Sequence, residues 1–594
     1  MRLFLSTILF VSSALTFAQK AISYELGLGD IQHHELRIKV TFAELNRDTL
    51  EIRMPNSSPG RYALHNFAKN VYAESATDSE GKPLELIRTT PFSWKIPLSG
   101  NDAIFEYTLY GNHADGTYAG IDAERLHLNM PATFAYGTNL QDRKIDLIID
   151  LTDKPEWSVG TQLQQEDDHT FTAPNYYYFF DSPTMVGEMS WRSWEVDGQT
   201  IEVATMHQGN DQELDSYVEW IKKIVDQEKA VFGELPTFDY GKYTFLCSYS
   251  PWVHGDAMEH RNSTVCTSQG NLAQHAPYLI GSISHEFFHA WNIERIRPKS
   301  LEPFDFDNAN LSGELWFGEG FTNYYDELAL CRSGIISQEK YLATASAVLN
   351  KVLNSPGRKI RTPIEMSHNA LFVDAGTAND ATNYQNNFIS YYTYGELLGL
   401  VLDLSIRSEF RNLSLDDYMK HVWQQYGKTE RPYYMEDLQQ ALATVTGDET
   451  FAKDFFTNYI YDSQLPDFEE LYKQMGIEVA LATTGKIYTG KVKVAEDGRV
   501  ESGLLKGTAL YEAGLNQGDR LLSLNGIELD EDNTFEEIVS NLKPGKTYVA
   551  TYEQLGKLKS AKFTAIQDPT VVLTFADDAG KNEWKNREDW LGAK

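Results

Sequence analysis

The sequence predicts a multidomain α+β chain: an N-terminal antiparallel β-sandwich, a mixed α/β and helical domain, and a small strand-rich C-terminal domain. Three observations predict it. At 594 residues the chain is several times the usual size of one domain, so it divides into units that each bury a core. Apolar residues alternate with polar ones to about residue 195, then recur at three and four spacing to about residue 470. Beyond that the alternation returns. The expected boundaries are a leader at 1–18, the sandwich at 19–195, the mixed domain at 196–470, the strand-rich domain at 471–567 and a tail at 568–594.

Taken in order, "MRLFLSTILFVSSALTFAQK" has one early Arg, an apolar stretch and small residues before a cut after Ala18. That is the pattern of a secretory signal peptide, and it predicts export to the periplasm or the medium. In the sandwich, "ELRIKVTF" puts Leu36, Ile38, Val40 and Phe42 on one face. "LEIRM" and "KIDLIIDL" repeat the pattern, and turn clusters such as "PNSSPG" separate the runs. The aromatic run "YYYFF" (residues 176–180) reads as a strand buried on both faces, with stacking on a ligand the alternative. In the middle domain, "DSYVEWIKKIVDQEKAVFG" is an amphipathic helix and "KYTFLCSYS" a strand. After Ile335 the ordered stretches read as helices, notably "YGELLGLVLDLSIRSEF" and "LDDYMKHVWQQYG".

The formal charge of -33 repels phosphate backbones and argues against a nucleic-acid partner. After the leader no apolar run is long enough to span a membrane. Cys247, Cys266 and Cys331 have no metal-type spacing. Either Cys247 and Cys266 pair across neighbouring strands, or all three are small buried thiols.

The chemistry lies in "SHEFFHAWN", residues 284–292. On a helix, His285 and His289 stand one turn apart on one face, so both imidazoles reach a single metal ion. Glu286 lies beside them, where its carboxylate acts on water without being a ligand. Apolar Leu279, Ile280, Ile283, Phe287 and Phe288 bury such a helix. A catalytic zinc takes three protein ligands and leaves one position open. "LWFGEGFTNYYDEL" (residues 315–328) supplies Glu319 within an apolar run, where an unpaired carboxylate is costly and a cation removes the cost. Glu314 is the rival, placed before the apolar part of that run.

In the C-terminal part, "KGTALYEAGLNQGDRLLSLNGIEL" resembles a PDZ domain: a small helix ending at Gly514, a tight turn at Gly518 and Asp519, then a strand. A short helix is expected at "TFEEIVSNL". A peptide, or another part of the same chain, is the partner such a domain implies.

The site segments resemble zinc metallopeptidases of the thermolysin-like superfamily in which a Glu follows HExxH on a second helix. Within it they are most similar to the glycyl aminopeptidase family. "HEFFHAWNIERIRP", "LWFGEGFTNYY", "ISYYTYGELLGLVLDLSIR" and "MPNSSPGRY" carry the likeness. It implies an N-terminal β domain, a thermolysin-like catalytic domain, a C-terminal PDZ domain and one zinc per chain. Tyr392 in "YYTYG" matches the tyrosine that hydrogen-bonds the oxyanion, a core aromatic being the competing reading; Tyr394 stands where the family has Lys. "HGDAMEHRNS" resembles the substrate-binding strand, with Glu259 in the place that binds the peptide's α-ammonium and Ala257 and Met258 leading into it. The family more often has two glycines before this segment's Met, so Asp256 and Ala257 depart from it.

The reading is therefore an exported zinc aminopeptidase acting on peptides with a free N-terminus, with Gly or Ala first. Its alternatives are a zinc endopeptidase of the same fold, or an inactive protein that binds through its β and PDZ domains.

Overall fold

The computed structural model describes residues 19–373 and 381–594. The expected leader, residues 1–18, lies outside the described residues.

The first unit is β-rich. Its largest sheet has seven strands, in the order Gln164–Gln165, Thr170–Ala173, Ile145–Ile148, Ile22–Gly27, Glu35–Phe42, Ala103–Tyr110 and Val71–Thr77. The alternation in Glu35–Phe42 does what period two requires: Leu36, Ile38, Val40 and Phe42 are fully buried. They share one core with Leu50, Ile52, Trp94 and Ile96 of a second, four-stranded sheet. The first departure from expectation is a parallel pair, Ile22–Gly27 with Ile145–Ile148, among the antiparallel strands. The second is "YYYFF", which is the helix Tyr176–Phe180. Asn175 caps it by accepting the amide of Tyr178, and Tyr176, Phe179 and Phe180 fall on its buried face. Capping and a three-four spacing outweigh the β preference of aromatic residues.

The second unit begins earlier than residue 196. Ser190–Val196 pairs with Gln199–His207 and belongs to its five-stranded sheet, so the expected boundary cuts a hairpin. That sheet continues through Lys242–Tyr249 and Ser263–Ser268 to the antiparallel edge strand Asp256–His260. Cys247 and Cys266 face each other across parallel strands, yet all three cysteines are free and buried. Helices then accumulate. Asp211–Phe232 starts in an Asn210/Glu213 capping box and stops at Gly233. Gly320–Arg332 and Tyr391–Glu409 touch backbone to backbone: a Cβ on Gly395 would lie 2.7 Å from the Gly320 Cα and 2.0 Å from the carbonyl oxygen of Trp316 in the preceding turn, so glycine is required there. No helix among the described residues is long and apolar enough to cross a membrane.

The third unit has a four-stranded sheet with helix Phe535–Asn541 and its own core of Leu521, Leu524, Phe535, Ile538, Ala550 and Phe563. The Asn386 side chain joins it to the second unit, donating to Leu504 O and accepting from Lys506 N at 2.8 Å each. The last residues are structured. Val571–Phe575 pairs with Ile477–Leu481, and helix Lys581–Leu591 buries Trp590 in the second unit's core.

Candidate active site

Helix Leu272–Phe288 runs into the second unit's core on Leu279, Ile280, Ile283, Phe287 and Phe288, all buried. His285 and His289 therefore share the face that the apolar residues leave free. Each ring has one nitrogen committed. His285 Nδ1 faces Asp326 Oδ2 at 2.9 Å, and His289 Nδ1 faces Asn292 O at 2.7 Å. This leaves both Nε2 atoms directed at a common point, where a metal ligand is wanted.

Glu319 arrives at the same point from the junction of helices Leu315–Gly318 and Gly320–Arg332. Asn292, wholly buried, ties the junction to the histidine segment: its amide donates to Phe317 O at 3.1 Å and Gly318 O at 3.0 Å. Tetrahedral zinc bonds of about 2.0–2.1 Å set ligand atoms about 3.4 Å apart. The spacings here bracket that value: 3.0 Å between the two Nε2 atoms, and 3.2 and 3.7 Å from Glu319 Oε2 to His289 and His285. The three residues fit a divalent cation. The electrostatics agree. Burial disfavours charge on all three, but the histidines hold Glu319 well below the usual carboxylate range, while Glu319 and Glu259 carry His289 up to about 9. An anionic Glu319 paired with histidines that a positive charge suits is a set whose protons a cation can replace. Glu314 is elsewhere, accepting from Ser300 and Ser312.

Glu286 is buried, and its Oε2 has no hydrogen-bond partner. Burial pushes its carboxyl up to about 8, against the pull of His285 and His289. An orphaned buried oxygen beside a metal triad suits a group that handles a proton. Glu259, Glu286 and His289 bring one atom each within 4.8 Å of one another. Glu259 is therefore buried beside the triad, not on a solvated edge, and burial raises its carboxyl. Met258 is buried, and half-buried Ala257 packs against the second unit's core. The Tyr392 ring lies 6.1 Å from that of His285, half-buried at the start of helix Tyr391–Glu409, while Tyr391 is fully buried. Tyr394 is buried away from solvent.

Besides Asn292, Asp326 and three residues of the first unit, Gly60, Arg61 and Tyr62, carried no role in the sequence reading. Asp326 lies seven residues after Glu319 on one helix, a spacing of two turns that was available as a signal. Gly60 and Tyr62 come from the first unit. A Cβ on Gly60 would sit 2.8 Å from Glu259 Oε1, so the glycine admits that carboxylate. Arg61 between them pairs with Asp256 and donates to Ala257 O at 3.3 Å.

Residues 23–188 match the family described as the peptidase M61 N-terminal domain, and residues 278–398 match that described as M61 glycyl aminopeptidase. Among solved structures, the chain is similar to an aminopeptidase N family protein from Idiomarina loihiensis. The TM-score is 0.82 at 23% identity, covering 96% of this chain and 100% of that one, so the two share a fold. Aminopeptidase A of Legionella pneumophila, solved with aspartic acid, follows at TM-score 0.43 and 11% identity, covering 93% of this chain and 56% of that one. No curated protein matches the chain.

Proposed function

From a chain that carries the N-terminal and glycyl aminopeptidase domains of the peptidase M61 family, and is a peptidase of the aminopeptidase kind, we propose an exported zinc enzyme. It removes the first residue, Gly or Ala, from peptides with a free N-terminus. The observation that carries this is the convergence of His285, His289 and Glu319 within 3.7 Å, next to the unpartnered oxygen of Glu286. A bound zinc supplies Lewis acidity, lowering the pKa of water toward 7 and polarising a carbonyl.

Glu286 takes the proton from the attacking water at its free Oε2 and passes it to the leaving amine. Tyr392 donates its phenol hydrogen to the oxyanion that develops at the scissile carbonyl. Glu259 accepts from the α-ammonium. Its buried carboxyl is stabilised as an anion once that cation lies against it, and the pair admits only a chain terminus to the first pocket. Export is carried by the leader-like opening. The C-terminal unit reads as a PDZ domain for a peptide or an internal segment, supported by helix Ala509–Glu512, the left-handed Gly514 and strand Arg520–Leu524.

The test is cleavage of Gly and Ala amides with and without an N-acetyl group, on protein assayed for zinc. One zinc per chain is expected, with a strong preference for the free amine that Glu259→Ala largely abolishes. A charge-assisted hydrogen bond of about 1.5–3 kcal/mol makes the loss in kcat/KM about 10- to 150-fold. Equal internal cleavage of blocked peptides would refute the aminopeptidase reading.

A further inference from the structure

Tyr62, a residue of the first unit, belongs to the large buried core of the second. Its backbone follows the turn "SSPGR", in which Ser58 and Arg61 form a bridge, and its ring crosses the boundary to stand edge-on to Tyr391, centroids 6.1 Å apart. The phenol oxygen lies 2.6 Å from Glu319 Oε1. The other oxygen of that carboxylate, Oε2, is the one that faces His285 and His289. The carboxylate is thus divided between two partners.

We propose that Tyr62 is a positioning residue: across the boundary between the units, its phenol holds Glu319 Oε1 and so fixes Oε2 as the single oxygen presented to the metal. This rests on the zinc reading above. The consequence is that the metal site is incomplete without the first unit. Glu319 reaches His285 and His289 through one oxygen, which leaves the remaining position of a four-coordinate ion for water and substrate. Without the phenol, Oε1 is free to turn inward as well, and a carboxylate that binds through both oxygens occupies that position. Gly60, two residues earlier, places the same turn against Glu259, so one segment of the first unit reaches both ends of the site.

The experiment uses the full chain with Tyr62→Phe, which removes the hydroxyl and keeps the ring in its core. Zinc affinity is measured by competition with a chromophoric chelator, and the visible spectrum is recorded on cobalt-substituted protein. The variant is expected to bind zinc 10- to 100-fold more weakly, the usual cost of losing a group that orients a ligand. The cobalt bands should weaken toward a five-coordinate pattern, which a merely structural tyrosine would not change. Tyr62→Met, also without a donor and able to fill the ring's space, should behave alike and serves if the Phe variant does not fold. Tight wild-type binding with affinities within twofold and unchanged cobalt bands in the variants would overturn this proposal alone. Wild-type protein that binds no zinc would overturn the zinc reading and this one with it.

Discussion

In the proposed mechanism Glu286 is the residue on which the chemistry turns. It is buried with Oε2 unpartnered, yet it is outside the triad whose nitrogens and oxygen converge. Glu286→Gln changes neither size nor the metal ligands, but the amide cannot accept the water's proton. Zinc content should stay at wild-type level while kcat falls about 10²- to 10⁴-fold, the span of general-base contributions. Elemental analysis and initial rates on one preparation decide it. A metal-free variant would make Glu286 a ligand and leave the proton without a carrier.

Two helices, Gly320–Arg332 and Tyr391–Glu409, bring Glu319 and Tyr392 to the site, and their closest approach is Gly320 against Gly395. A methyl group on Gly395 would lie 2.0 Å from a carbonyl oxygen and 2.7 Å from the Cα of Gly320, both rigid backbone atoms. Overpacking of this kind costs about 1–3 kcal/mol or more. Gly395→Ala should therefore lower the thermal midpoint by several degrees and reduce activity per folded molecule, because both helices carry site residues. Gly399, one turn on, is the control: its Cβ would meet side-chain atoms of Tyr324 and Phe321 at 3.2 and 3.3 Å, a much milder approach that a shift of a few tenths of an ångström relieves. Calorimetry of the two variants should rank Gly395→Ala as clearly the worse. Equal midpoints would mean that the helices slide apart freely.

At the scale of the whole molecule, a buried arginine joins the first unit to the second, and buried histidines that respond to acid lie in the first unit nearby. Arg125 donates to Ser250 Oγ at 3.0 Å across the boundary, and two residues on, His127 is buried with its Nε2 2.6 Å from Asp115 O. Burial lowers the His127 imidazole to about 4, with nearby Arg125 adding to it and Asp115 opposing. His65, close to the same region through Tyr118, is lowered to about 4 by burial with Arg61 and Lys69. A histidine depressed in the folded state contributes stability that is complete above its unfolded value of about 6.5 and is lost as pH falls toward 4. These two histidines should therefore lower the thermal midpoint as pH falls below about 6.5. His127→Gln keeps a donor for the Asp115 carbonyl and removes the titration, so its decline should be shallower, the difference reaching about 3 kcal/mol at most. Midpoints of both proteins measured from pH 8 to 4.5 provide the check, and parallel curves would exclude His127 as a source of the acid sensitivity.

By itself the sequence determined what local periodicity and local cost determine. Leu36, Ile38, Val40 and Phe42 alternate on a strand, and His285 and His289 share a helical face, because both patterns follow from backbone geometry within a few residues. Glu319 was legible because a carboxylate in an apolar run needs a cation. The boundary near residue 196 was not legible, since a hairpin pairs with whichever sheet edge the fold presents. Nor was the helix at Tyr176–Phe180, where one cap outweighs composition. The tertiary structure alone decided that Glu259 is buried beside His289, that Asn292 ties two site segments together, and that Tyr62 meets Glu319 across 257 residues of chain. Contacts of that range leave no periodic trace, because they depend on how separately folded surfaces close on each other, and a single side chain at the seam has no neighbour in sequence to announce it.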